Sequence, residues 1–199
     1  MTDRPRVQRV NVETRAAWRV WLAEHHAGTS SVWVVSWKKH TGKPAVSYDD
    51  AVSESLAFGW VDSRPAKLDR DRTMLYFSPR KPSSAWSRPN KHRVATLESA
   101  GLMTDAGRRV VCAAKADGSW TKLDDVEDLV VPADLADAFA RNPGSRERWD
   151  SFPRSARRGI LEWIVQARRP ATRRKRLDET AEMAGRGERA NQWPSAPKD

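Results

Sequence analysis

Cysteine is nearly missing from this chain: Cys112 stands alone among 199 residues. An intramolecular disulfide and any cysteine-rich metal site are therefore excluded. Histidine is scarce as well, with four. His25 and His26 are neighbours that point apart on a helix, and no His-Glu-x-x-His or Cys/His spacing occurs, so zinc chemistry has no ligand set. The glycine-lysine pattern of a phosphate-binding loop and the nucleophile elbow of a serine hydrolase are also absent. No apolar run approaches the roughly 20 residues of a membrane span. Met1 to Arg9 is polar and arginine-rich, unlike an export signal. The expectation is a soluble, cytoplasmic protein without metal or cofactor.

Tryptophan is abundant, with ten residues. Each indole can bury a large area, which helps a chain with 31% charged residues to form a core. The net charge of +10 favours anionic partners. It is unevenly spread: residues 1–120 carry net +8, residues 121–140 net −5 and residues 141–190 net +7. An acidic linker at about 121–131 thus divides two basic parts, and one continuous basic groove is disfavoured.

Periodicity supplies the elements. Thr14 caps a helix to about His26, with Trp18, Trp21, Leu22 and His25 on one stripe. Ser31–Trp37 alternates apolar residues on both faces, as a covered strand does. Ser47 caps a second helix with Asp50 in a capping-box position, and Gly59 terminates it. Its Glu54 is expected on the solvated side. Trp60–Lys67 and Thr73–Ser78 read as a hairpin, with Pro65 placing the first strand on an edge. From Trp86 the chain is helical. Cys112 is expected to be a small buried hydrophobe, Ser155 to cap a helix with Ile160, Trp163, Ile164 and Ala167 inward, and Leu177, Thr180, Ala181 and Ala184 to face the core of the last helix. The fold class is α+β: a small mixed sheet with helices over residues 1–84, a helical region over 85–184 and a disordered tail over 185–199.

Three aromatic and charged clusters fall where elements meet loops, which is where binding groups tend to sit. His40 and Lys43 flank Gly42 after a strand, an arrangement that can aim imidazole, ammonium and backbone N–H groups at an anion. Asp62 lies two residues beyond Trp60, where desolvation would suit a general base, or where it could anchor Arg64, Lys67 or Arg80. Arg80, held between Pro79 and Pro82 after Phe77, can fork onto a phosphate or carboxylate beside the stacking face of Trp86.

The ordered set Thr14, Trp18, Trp21-Leu22, Lys39-His40-Thr41-Gly42-Lys43-Pro44, Tyr48, Phe58-Gly59-Trp60-Val61-Asp62 and Phe77-Ser78-Pro79-Arg80 resembles the YdeI/OmpD-associated, or bacteriocin-protection, proteins. The resemblance continues through Trp86-Ser87, Asn90, Arg93, Gly101-Leu102-Met103-Thr104 and Gly118-Ser119-Trp120. It closes with Trp163-Ile164, Ala167, Thr172-Arg173 and Arg176, spanning the chain to about Ala184. Arg64 and Pro65 depart from it, standing where such proteins have apolar strand residues. The resemblance implies a link to tolerance of antimicrobial peptides and transfers no catalytic residues.

The expected site is one cleft lined by His40, Lys43, Trp60, Asp62, Phe77, Arg80 and Trp86, binding a small anionic ligand or a protein partner. One alternative is an enzyme with His40 or Asp62 as acid/base and Arg80 as clamp. Another is weak, non-specific nucleic-acid binding through Arg168-Arg169 and Arg173-Arg174-Lys175-Arg176, which Asp178, Glu179 and Glu182 partly neutralise.

Overall fold

The Thr14 hydroxyl accepts a hydrogen bond from the Ala17 N–H at 3.1 Å, so helix α1 (Arg15–His25) begins where a cap satisfies an orphaned donor. Trp18 and Leu22 on its inner stripe are fully buried. His25 stacks on Trp21 with ring centroids 4.7 Å apart, the packing role expected of it. This computed structural model describes residues 7–191, and the tail from residue 192 onward lies outside them.

A sheet of four strands carries the first part of the chain. Strands β1 (Arg9–Asn11), β2 (Val32–Trp37), β3 (Trp60–Lys67) and β4 (Arg72–Pro79) lie in the order β1-β2-β4-β3. β1 runs parallel to β2, and the other pairings are antiparallel. The strand β1, with Val10 as its one apolar residue, is too short to show in the sequence pattern. β3 is an edge strand, which accommodates Pro65 as expected.

Helices cover one face of this sheet. α1 and α2 (Tyr48–Ala57) are joined by the Trp18 indole, which donates to the Ala51 carbonyl at 3.0 Å. Beneath them Val32, Val34, Phe77 and Trp60 form the core with Val52 and Leu56. Glu54 of α2 is 2% exposed, contrary to the solvated position expected. α1 packs over that side of α2, and Arg15 and Arg19 each reach the Glu54 carboxylate at 2.6 Å.

α3 (Arg88–Ser99) and α4 (Asp105–Ala116) complete this unit, which extends past residue 84 to Thr121. α4 approaches the end of α2 at Gly107, where a Cβ would overlap the Ala57 carbonyl oxygen. Cys112 is exposed, because Val111 and Ala114 take the inward positions of α4.

The second unit, residues 122–199, is helical in its described residues. It contains α5 (Asp124–Glu127), α6 (Ala133–Ala140), α7 (Ser145–Ser151), α8 (Arg154–Val165) and α9 (Pro170–Gly185). Leu135, Phe139, Trp149, Ile160, Leu161, Ile164, Leu177 and Ala181 build its core. Ser155 falls inside the first turn of α8, and Pro153 occupies the capping position. Leu161 takes the buried position expected of Trp163, which is partly exposed under the Arg176 guanidinium. The acidic belt is not an open linker: its Glu127 is buried and paired with Arg158 at 2.7 Å. Past α9 the chain turns at Gly187, and Ala190 is 1% exposed, so order extends beyond the expected limit at residue 185. The fold class is α+β, with a mixed sheet in the N-terminal half and helices in the C-terminal half.

Candidate functional site

Cross-strand register decides which side chains share a surface. Val34 pairs with Leu75 and Ser36 with Thr73 across β2 and β4, while Asp62 and Pro65 of β3 face Phe77 and Leu75. These residues line the helix-covered face. α1 and α2 close over its Val32–Phe77 end and leave the other end open. The result is a groove of about 840 Å3 between the sheet and the first turn of α2. Val34, Val46, Ala51, Pro65, Leu75 and Phe77 give it an apolar floor and wall. Ser36, Ser47, Thr73, Lys39, Tyr48 and Asp62 supply the polar groups. A concave, mainly apolar space of this size with few polar groups has the character of a small-molecule site.

Asp62 is the acidic group of this groove, and Tyr48 holds it. The Tyr48 hydroxyl donates to the Asp62 carboxylate at 3.0 Å. Tyr48 is 58% exposed as a residue, but its hydroxyl is turned toward Asp62. Local burial first, and the hydrogen bond to Asp62 second, raise its ionisation above the ordinary phenol value. Tyr48 therefore remains a neutral donor at physiological pH. At the far end Lys39 enters the lining from the 3-10 turn Lys39–Thr41. The two charges stand at positions flanking Phe77 and Arg72, roughly 17 Å apart along β4.

The single cleft expected from sequence does not form. β2 is antiparallel to β4, so its C-terminal Trp37 meets Arg72, whereas Arg80 follows the opposite end of β4. His40 is tied to the hairpin turn: its Nε2 lies 3.0 Å from the Asp71 carboxylate, and Lys38 bonds to the Asp69 and Arg70 carbonyls. His40 and Arg80 are thus separated by nearly the length of the strand, about 24 Å. Asp62 and Phe77 do line the groove. Lys43 lies over the Trp37 ring at 4.0 Å and is not part of the groove lining. Trp60 is a core residue, 1% exposed, whose indole donates to the His26 carbonyl.

Arg80 and Trp86 form a separate arrangement. The guanidinium lies 3.9 Å from the Trp86 ring centroid and donates to the Ser84 and Ala85 carbonyls. Burial lowers its pKa to about 10, partly opposed by the negative charge of Asp62, so it stays cationic at neutral pH. Arg80 Nε and Trp86 Nε1 are buried without a hydrogen-bond partner. The adjoining cavity is only about 90 Å3 and includes Asp117, whose carboxyl is held low by hydrogen bonds from Ser119 and then Ser83. This space suits water better than a substrate, and the stack fastens the Lys81–Ala85 loop.

Tyr48, Lys39, Ser36 and Thr73 are the groove residues that sequence reasoning missed. Tyr48 had a signal, since it stands three and four residues before Ala51 and Val52 on the inward stripe of α2, so its ring continues that face past the covered core. Among the described residues no cluster of three or more His, Cys, Asp or Glu side chains is placed to hold a metal ion. No helix among them is long and apolar enough to cross a membrane.

Two families match, on different parts of the chain. Residues 10–110, which include the whole groove and all of the sheet but Arg9, match the family described as a domain of unknown function, DUF8412. The chain belongs to this family. Residues 128–187 match the family described as bacteriocin-protection, YdeI or OmpD-associated. The YdeI/OmpD-associated resemblance is therefore shown in the helical second unit, whereas the motifs from Trp18 to Arg93 fall under the DUF8412 match. No curated protein and no solved structure matches the chain significantly.

Proposed function

We propose that this protein binds a small amphipathic anion in the groove between the sheet and α2, without transforming it. The observation that carries this reading is the groove itself: about 840 Å3, mostly apolar, with Lys39 at one end and the Asp62–Tyr48 pair at the other. The apolar body of the ligand covers Val34, Leu75 and Phe77. Its anionic group meets the Lys39 ammonium, and a hydroxyl or amine donates to Asp62. His40 and Asp62 lie toward opposite ends of the strand pair, so they do not combine as acid and base on one reacting atom. Bacteriocin protection, in the name of the family matched by residues 128–187, is the setting we assign to this binding.

The test uses anilinonaphthalene sulfonate, an apolar anion that brightens in such sites, and decanoate as competitor. Saturable binding of the dye, displaced by decanoate and abolished by Ser36→Trp, is the expected result, because an indole at position 36 fills the groove. Lys39→Ala should weaken decanoate more than decanol. Dye binding that survives Ser36→Trp unchanged would place the site elsewhere and reject the reading.

A further inference from the structure

We propose that the other face of the sheet, on which Trp33, Tyr76 and Trp37 are partly exposed, is a stacking platform for single-stranded nucleic acid. The register puts Arg9 beside Trp33 and Trp33 beside Tyr76, and a bulge between Asp62 and Pro65 brings Arg64 against the same pair. One row therefore crosses all four strands in the order Arg9, Trp33, Tyr76, Arg64. Two aromatics occupy its centre and a guanidinium stands at each side, the outer strands being roughly 14 Å apart.

The side chains form what the backbone register implies. Trp33 and Tyr76 meet edge-on with centroids 5.1 Å apart, and both are partly exposed. The Arg64 guanidinium lies 4.8 Å from the Tyr76 centroid and 5.3 Å from that of Trp33. Among the described residues no carboxylate pairs with it. Two rows along the sheet, past the Val35–Met74 pair, Trp37 lies under Lys43 and near Arg72, and Arg72 is itself paired with Asp69 in the hairpin turn. The strand positions facing this way include three arginines and no acidic residue.

Cations resting on aromatic faces mark surfaces that a flat, electron-rich, negatively backed polymer can occupy. A base takes the place of the guanidinium on the ring, and the guanidinium moves to the phosphate. Adjacent strands bring the two rings close enough for neighbouring bases. The strand-rich, flat surface selects an unpaired strand, whose bases can splay onto it, over a duplex, whose bases are already stacked. The net +8 of residues 1–120 has the right sign for approach. The basic stretch of α9 is less available: Arg173 is locked to Asp134 at 2.6 Å, and Arg176 covers Trp163.

The experiment measures anisotropy of a labelled oligothymidylate of ~12 nucleotides, a length within the site size such platforms cover, against the full chain over a salt series. Trp33→Ala and Tyr76→Ala should each weaken binding by about tenfold or more. Arg64→Ala should flatten the slope of log affinity against log salt by about 0.7, the loss of one phosphate contact on a single strand. Arg174→Ala with Lys175→Ala should change affinity far less than Arg64→Ala. Because Trp33 also packs against its neighbours, Tyr76→Phe and Tyr76→Leu are compared at matched thermal midpoints, with binding kept by Phe and lost by Leu. No binding at low salt, equal affinity in Tyr76→Phe and Tyr76→Leu, or equal displacement by duplex or heparin of matched charge would each overturn the proposal.

Discussion

Asp62 and Arg64 stand two residues apart on β3 yet face opposite sides of the sheet. In a regular strand such residues share a face. Here Asp62 pairs with Phe77 and Pro65 with Leu75, so Ser63 and Arg64 together oppose Tyr76. The extra residue sends the carboxylate to the groove with Tyr48 and the guanidinium to the aromatic row with Trp33 and Tyr76. One bulge thereby sets the charge of both surfaces. It also removes the ion pair that sequence spacing allowed between these two residues.

Gly107 and Gly159 both sit inside helices but should respond to alanine in opposite ways. At Gly107 a methyl group would overlap the Ala57 carbonyl and come within 2.8 Å of Met103 Cε, and backbone cannot yield as a side chain does. Gly107→Ala should lower stability by about 1–3 kcal/mol despite the better helix propensity of alanine. Gly159 has nothing within 4 Å of the added atom, so Gly159→Ala should raise stability by about 0.5–1 kcal/mol. Urea midpoints of the two variants check both signs.

The buried carboxylate of Glu54 makes a second asymmetric case. Its two partners are 43% and 33% exposed, whereas Glu54 itself is 2% exposed. Removing Arg15 and Arg19 together strands a buried charge, which should cost about 3–5 kcal/mol. Glu54→Gln leaves two arginines that can turn to water and a neutral amide that keeps hydrogen bonds, so it should cost less, about 1–2 kcal/mol. Equal losses in the two variants would contradict this account.

Much of the fold was legible and the site largely was not, for one physical reason. Thr14, Ser47 and Thr104 cap helices, Pro89 sits in a first turn, and Gly59 ends a helix, because these act within a few residues of chain. Strand pairing acts at a distance. That β2 runs against β4, so that His40 ends beside Asp71 instead of Arg80, cannot be read from either strand alone. Glu54 misled for the same reason: its helix pattern placed it outside, and only the packing of α1 covers it. Cys112 misled through its neighbours: the apolar run Val110–Ala113 reads as buried, whereas the stripe of Gly107, Val111 and Ala114 turns inward and leaves Cys112 exposed.

The Asp134–Arg173 pair gives a pH signature to the second unit. The Arg173 hydrogen bonds hold the Asp134 carboxyl below the usual carboxylate range. A carboxyl depressed in the folded state contributes stability above its unfolded pKa, near 4, and loses it as pH falls through the folded value. The difference in thermal midpoint between the wild type and Asp134→Asn should therefore be full at pH 6 and vanish at acid pH, below the folded value. A difference that persists undiminished there would show that the ion pair is not its source. Both partners are partly exposed, so added salt should also shrink it.

The Tyr48–Asp62 couple offers a direct measurement of the groove. Tyr48 is raised from its ordinary value near 10 by burial first and by the Asp62 hydrogen bond second. An acid whose folded pKa is raised favours its neutral form in the fold, so alkaline titration should show Tyr48 ionising later than a free phenol. Asp62→Asn removes the negative charge while keeping an acceptor, and the ionisation should move down toward the ordinary value without reaching it, because burial remains. Filling the groove with decanoate should move it upward again, since the ligand withdraws water from the hydroxyl. With only two tyrosines in the chain, ring resonances labelled for nuclear magnetic resonance separate Tyr48 from Tyr76. A Tyr48 titration unaffected by both Asp62→Asn and decanoate would mean that the hydroxyl does not face a ligand-accessible groove, and the binding reading would lose its polar anchor.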